Sequence, residues 1–180
     1  AVSRKHVPMV PMQTMNKETL TLLNTQSVAD AIRFFSGVQL KDFGGVGGIK
    51  TINIRSMGTQ QMGVFYDGIQ LGNAQNGQID LGRFSIDNLQ EIQLYNGHKT
   101  EILQSAKDYG AAGTIYLTTK HPEFSQGKTK LTATMKAGSF GLANPALLWQ
   151  QKWNDSIATS VSAEYTYATG RYHFRNYKTA

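Results

Sequence analysis

Apolar and polar positions along this chain change their period several times, and the changes divide it into elements. Residues 1–15 hold Pro8 and Pro11 among scattered apolar residues, which predicts an extended leading arm without a helix. Asn16 is placed to cap a short helix, with Glu18 in its first turn. Thr25 or Ser27 opens a second helix, in which Val28, Ala31, Ile32 and Phe35 recur at i, i+3, i+4 and i+7 and form one apolar face. Gly37 is placed to stop it, and Val38-Gln39-Leu40 begins a strand. The run Gly44-Gly45-Val46-Gly47-Gly48 predicts a loop with several positive-φ positions. From Lys50 to Arg55 the period is two, with Lys50, Ile52 and Ile54 on one side. Val64–Leu71 reads as two strands joined at Asp67-Gly68, a strong hairpin signal. Leu71–Gln78 is a Gly- and Asn-rich loop, Ile86–Tyr95 and Thr114–Thr119 are strands, and Thr100–Lys107 is a short helix.

After His121-Pro122 the composition shifts. Leu131, Ala133, Met135 and Ala137 alternate with Lys130, Thr132, Thr134 and Lys136, and Gly138-Ser139-Phe140-Gly141 turns the chain. Leu147, Trp149, Gln151 and Trp153 share a face, and Asn154-Asp155-Ser156 turns again. Ile157, Val161, Ala163, Tyr165 and Tyr167 then oppose Ser156, Ser160, Ser162 and Glu164. Segments of this kind fit the wall of a transmembrane β-barrel, with aromatic residues near strand ends. They fit equally three strands of a soluble antiparallel sandwich with one wet face.

The ordered set of segments resembles the plug domain of the TonB-dependent outer-membrane receptors. Val28-Ala29-Asp30-Ala31-Ile32, Gly37-Val38, Ile52-Asn53-Ile54-Arg55-Ser56-Met57-Gly58, the Asp67-Gly68 hairpin and Asp80-Leu81-Gly82-Arg83-Phe84-Ser85 follow in that family's order, over roughly residues 1–121. The resemblance tips the second segment toward the barrel. It implies an α+β plug domain, a small mixed sheet with short helices, over residues 1–121. The first antiparallel strands of a transmembrane β-barrel follow over residues 122–180. Three strands cannot close a barrel, since in lipid an open edge leaves backbone groups unpaired, and plugged transporters need about 22 strands. The chain is therefore expected to be part of a longer protein.

Further implications follow from the resemblance alone. The protein would be an active transporter rather than an enzyme, set in the outer membrane of a Gram-negative bacterium with its N-terminus periplasmic. It would draw energy through TonB and import a scarce large nutrient. Other partners would be outer-membrane lipid, the transported small molecule and a surface lipoprotein. The TonB contact segment is not evident, Ala1–Arg4 being at most a remnant. Two apical loops are implied to touch ligand: Asp42, Phe43, Gly44, Gly45, Val46, Gly47 and Gly48 in one, Gly72, Asn73, Gln75, Asn76 and Gln78 in the other. Small residues there admit close backbone approach, and the Asn and Gln side chains offer neutral donors and acceptors. Arg55 is implied to lock plug to barrel by pairing with wall glutamates. The family's second arginine turn reads Asn96-Gly97-His98 here. Short neutral apical loops resemble the cobalamin-receptor branch, so the implied cargo is cobalamin or another corrinoid. A ferric siderophore, haem, a glycan or a peptide are the alternatives.

Composition narrows the remaining classes. The chain of 180 residues is 40% hydrophobic with 18 glycines and 4 prolines, so it is neither disordered nor fibrous. It has no run of about 18 apolar residues that would make a membrane helix. Without cysteine, disulfides, thiolate metal sites and Cys nucleophiles are excluded. The net charge of +6 comes from scattered Lys and Arg, which fits a solvated or anionic-lipid-facing surface and not nucleic acid. Ile49 before Lys50-Thr51 breaks the phosphate-loop pattern. His6, His98, His121 and His173 lie singly and Met9, Met12 and Met15 read as packing, so no metal or cofactor is expected. Asp67 reads as a turn residue that bonds local backbone. Two rivals from other classes are a soluble β-rich binding module and a hydrolase relying on Asp67 or Asp80.

Overall fold

The structure is a computed structural model that describes residues 12–54, 62–72, 78–95, 111, 113–122, 124, 127–154 and 156–171. The chain divides into two compact units, residues 1–121 and 122–180.

In the first unit, strand β1 (Met12–Asn16) runs directly into helix α1 (Lys17–Leu23). The Asn16 side chain accepts the amide of Thr19 and so caps that helix as its position predicts. Helix α2 (Val28–Ile32) is capped by Ser27, whose hydroxyl accepts from the Asp30 amide and donates to Asp30 Oδ2. Its regular part ends at Ile32, earlier than the apolar spacing implies. The chain continues in turns through Phe35, which is still buried, and leaves at Gly37 with φ 78°.

Strands β2 (Val38–Phe43) and β3 (Ile49–Ile54) form an antiparallel hairpin of their own. Strands β4 (Met62–Tyr66) and β5 (Ile69–Leu71) form the second hairpin. There Asp67 and Gly68 both have positive φ, 47° and 82°, as a type I′ turn requires. Strands β6 (Leu89–Tyr95) and β7 (Gly113–Thr119) complete a mixed five-stranded sheet of order β1-β6-β7-β4-β5, in which only the β4–β7 pair is parallel. The predicted extended arm thus contributes an edge strand, a role that residues 1–15 do not advertise.

The core lies on one face of this sheet. Met15, Ile92, Leu94, Ile115, Leu117 and Val64 meet Val28, Ala29, Ala31 and Ile32 of α2, Ile52 and Ile54 of β3, and Leu81 in a short 3-10 turn (Leu81–Arg83). Alternation explains the arrangement, because register sets Met15 against Ile92, Ile92 against Leu117 and Ile115 against Val64. On the opposite face Phe65 stacks on Tyr116, and Tyr95 meets Tyr116 edge-on.

In the second unit β8 (Thr129–Gly138), β9 (Leu142–Lys152) and β10 (Ala158–Glu164) form an antiparallel sheet with β9 in the middle. Register puts Leu131 beside Trp149 beside Val161, and Ala133 beside Leu147 beside Ala163. These residues share one face, and it is open, with Leu131 and Met135 each 64% exposed. The other face carries Lys130, Thr132, Thr134 and Lys136, with Asn144 and Gln150 buried among its polar groups. Asn144 Nδ2 donates to Glu164 Oε1 at 2.7 Å and to Thr166 Oγ1 at 2.6 Å.

Candidate functional site

The tip of the β2–β3 hairpin is the best-built of the sequence-predicted sites. Gly44, Gly45 and Gly47 have φ of 119°, 68° and 81°, a conformation that side-chain-bearing residues adopt only with strain. Asp42 Oδ1 accepts the Gly45 amide at 2.9 Å, and the Gly48 amide closes onto Gly45 O at 3.2 Å. Gly48 has no room for a side chain, since a Cβ would stand 2.4 Å from Phe43 O and 2.8 Å from Gly44. The five residues between the strands thus form a closed turn held by its own hydrogen bonds.

What this turn presents is apolar. Phe43 is 62% exposed, and Val46 and Ile49 are exposed with it; Phe43 and Ile49 are direct cross-strand partners and share a face. Sequence reasoning placed Phe43 and Val46 in the loop but missed Ile49, because the alternation was read from Lys50. Asp42, also expected to meet ligand, has its carboxylate engaged inward by Gly45 and lies 3.9 Å from Lys50 Nζ.

The base of the tip is anchored by charge. Lys50 Nζ lies 2.8 Å and 3.0 Å from the two Asp30 oxygens, with both side chains largely buried. Asp80 Oδ1 accepts the backbone amides of Lys50 and Gly82, each at 3.0 Å, while its Oδ2 accepts from Arg83 Nε at 3.0 Å. Asp80 therefore ties the end of the second predicted loop to the base of the first, and Gly82 lets the two backbones close up beside the Lys50 side chain. Gly72 and Gln78 flank that second loop. Asn73, Gln75 and Asn76 lie outside the described residues, as do Arg55, the helix expected at Thr100–Lys107, and Asn96-Gly97-His98.

Asp67 has a different role from the one expected. Its carboxylate bonds not local backbone but Thr119, with Oδ1 accepting the Thr119 amide and Oδ2 the Thr119 hydroxyl, each at 2.8 Å. With both oxygens so held and no second carboxylate at hand in these bonds, Asp67 is a structural clamp. Next to it, burial pushes the Tyr66 hydroxyl above the usual tyrosine range; a hydrogen bond from Asn88 opposes this and the Asp67 charge adds to it. Among the described residues no group of three or more His, Asp or Glu comes together to hold a metal. Among them also no helix is long and apolar enough to cross a membrane, which says nothing of strands.

Among the described residues the first unit is thus a mixed sheet with two short helices and a glycine-rich hairpin, and a separate antiparallel sheet follows in the chain. Residues 7–111 match the family described as TonB-dependent Receptor Plug Domain, and the chain belongs to it. Among solved structures it is similar to the ferripyoverdine receptor of the outer membrane of Pseudomonas aeruginosa bound to ferripyoverdine. The TM-score is 0.63 at 14% identity, covering 89% of this chain and 20% of that one. It is similar to the ferric yersiniabactin uptake receptor FyuA from Yersinia pestis, with a TM-score of 0.60 at 15% identity, covering 86% and 24%. The copper transporter OprC gives a TM-score of 0.65 at 16% identity, covering 87% and 24%. At these identities the likeness is one of fold, and the chain spans about a fifth to a quarter of the length of these proteins.

Proposed function

We propose that the chain is the plug and the first wall strands of a TonB-dependent outer-membrane transporter that imports a chelated nutrient. A ferric siderophore is the favoured cargo. The observation that carries this reading is the union, in one chain, of a plug-family unit with a sheet whose apolar face is open to its surroundings. In water such a face is a liability; against lipid it is what a barrel wall needs. Its polar face, with Asn144, Gln150 and Glu164, suits a lumen.

The ligand would rest on the apical loops. In the first of them Gly44, Gly45, Gly47 and Gly48 shape the turn and Phe43, Val46 and Ile49 meet the cargo. Gly72, Asn73, Gln75, Asn76 and Gln78 would contribute from the second, while Asp42 holds the first in shape. An apolar platform of Phe43, Val46 and Ile49 suits the organic shell of a chelate. The corrinoid expected from the short Gly- and Asn-rich loops is the second reading, favoured by the apolar character of Phe43, Val46 and Ile49 at the tip. Two of the similar solved structures are described as a ferripyoverdine receptor and a ferric yersiniabactin uptake receptor, which supports the first. Arg55 remains the proposed lock to the wall.

The test is uptake of radiolabelled ferric chelates and cyanocobalamin by cells carrying the full-length protein, with and without TonB. TonB-dependent accumulation of a ferric chelate supports the reading. Accumulation of cyanocobalamin alone would transfer the cargo to the corrinoid, and TonB-independent binding without uptake would reject active transport.

A further inference from the structure

Gln13 is a polar residue on the core face of an edge strand. It stands opposite Leu94 on β6, on the same side as Met15, where an apolar residue would be expected. Its Oε1 accepts the Ser36 backbone amide at 2.7 Å, and its Nε2 donates to the Ser36 carbonyl at 3.0 Å. The side chain thus satisfies both backbone groups of one residue 23 positions away, as a neighbouring strand would.

Ser36 sits at a junction. It follows the turns that end α2 and precedes Gly37, from which β2 departs. The hairpin that carries the Phe43–Ile49 tip is therefore rooted at Ser36, and Gln13 holds that root. The same hairpin is held near its tip by the Lys50–Asp30 pair, so α2 touches it through Asp30 at one end and leads into its root at the other. Strand β1, in turn, pairs with β6 alone among the described strands and is continuous with α1 at Asn16.

We propose that the Gln13–Ser36 pair is a latch that couples release of strand β1 to loosening of the β2–β3 hairpin. Lifting β1 from β6 has to break both latch bonds, which frees the turn at Ser36 and with it the hairpin root. Conversely, a hairpin fixed by ligand holds Ser36 in place and retains β1. The latch is a property of the folded plug and stands whether or not the cargo named above is right. Gln13 acts as a positioning residue, because both ends of its amide are engaged by the Ser36 backbone.

Hydrogen exchange of the full-length protein, read at single-residue level, tests it on wild type, Gln13→Ala and Gln13→Asn. The shorter Asn keeps the amide but cannot span to both Ser36 groups, and it guards against a folding defect from lost polarity. Two net hydrogen bonds predict exchange faster by about tenfold at Ser36. The coupling predicts that β1 amides and the amides of residues 37–43 accelerate with it, in both variants, while β7 amides do not change. Faster exchange at Ser36 alone, with β1 and β2 at wild-type rates, would overturn the latch and leave only a local hydrogen bond. Acceleration spread evenly over β7 as well would also overturn it, since that is general destabilisation.

Discussion

Asp67 and Thr119, 52 residues apart, are joined by two hydrogen bonds of 2.8 Å, through both the amide and the hydroxyl of Thr119. The first sits at the β4–β5 turn, where Asp67 and Gly68 both have positive φ, the second at the end of β7. Because β4 and β7 run parallel, no short turn can fix their register, and this pair does so at the strand ends. Asp67→Ala removes both acceptors and strains a backbone with φ 47°, so a local loss of about 2–4 kcal/mol is expected. Asp67→Asn keeps one acceptor and tolerates the backbone, and should lose about 1 kcal/mol. Exchange of the β7 amides measures both. Equal losses in the two variants would count against the clamp.

The Lys50–Asp30 pair makes a second prediction. Both side chains are mostly shielded, so removing one partner strands a charge. Lys50→Met should lower the local stability of α2 by about 2–3 kcal/mol, and adding Asp30→Leu should restore part of it. Opening free energies of the α2 amides in the single and double variants give the answer. A double variant no better than Lys50→Met alone would show that the pair is not what the hairpin base relies on.

Tyr66 supplies a pH dependence. Burial raises its pKa above the unfolded value of 10.0, so in alkaline solution the folded protein keeps a proton that the unfolded chain loses. The stability this contributes is whole below the unfolded value and is lost as pH climbs through the folded one. Tyr66→Phe should flatten that alkaline loss. Ultraviolet titration of wild type against Tyr66→Phe should show the missing tyrosine ionising later than the others. An early-ionising difference signal would contradict the burial argument.

Alternation in β8–β10 predicts an accessibility pattern. Single spin labels at 131, 133, 135, 147 and 161 in the full-length protein in bilayers should meet oxygen, and labels at 130, 132, 134, 150 and 160 should meet water-soluble reagents or be shielded. A uniform pattern, or the reverse one, would remove the membrane wall.

Much of this was legible locally. Asn16 and Ser27 cap helices because a cap needs only a side chain and the next three residues. Asp67-Gly68 specifies its turn through φ alone. The period-two faces of 129–164 survive in the register of Leu131, Trp149 and Val161. What could not be read was non-local: β1 as an edge strand, the order β1-β6-β7-β4-β5, and the partners of Asp67, Lys50 and Gln13. A carboxylate or an amide in a sequence announces that it needs a partner but not which of many distant groups supplies it. The apolar tip was hidden for a similar reason. Glycines dominate that stretch, and only the pairing of Phe43 with Ile49 shows that they frame an exposed platform.

The most direct measurement is equilibrium binding of ferric siderophores and cyanocobalamin to the detergent-purified full-length protein. Wild type would be compared with Phe43→Ser, Gly48→Ala and, as a control on α1, Leu22→Ser. The account predicts saturable, selective binding of a ferric siderophore. Phe43→Ser should weaken it by about tenfold or more, as losing one buried aromatic contact implies. Gly48→Ala should weaken it too, because the turn cannot close around a Cβ, while Leu22→Ser binds as wild type does. Tight binding that ignores both tip substitutions would contradict the β2–β3 tip as the ligand platform, and selective binding of cyanocobalamin alone would contradict the siderophore.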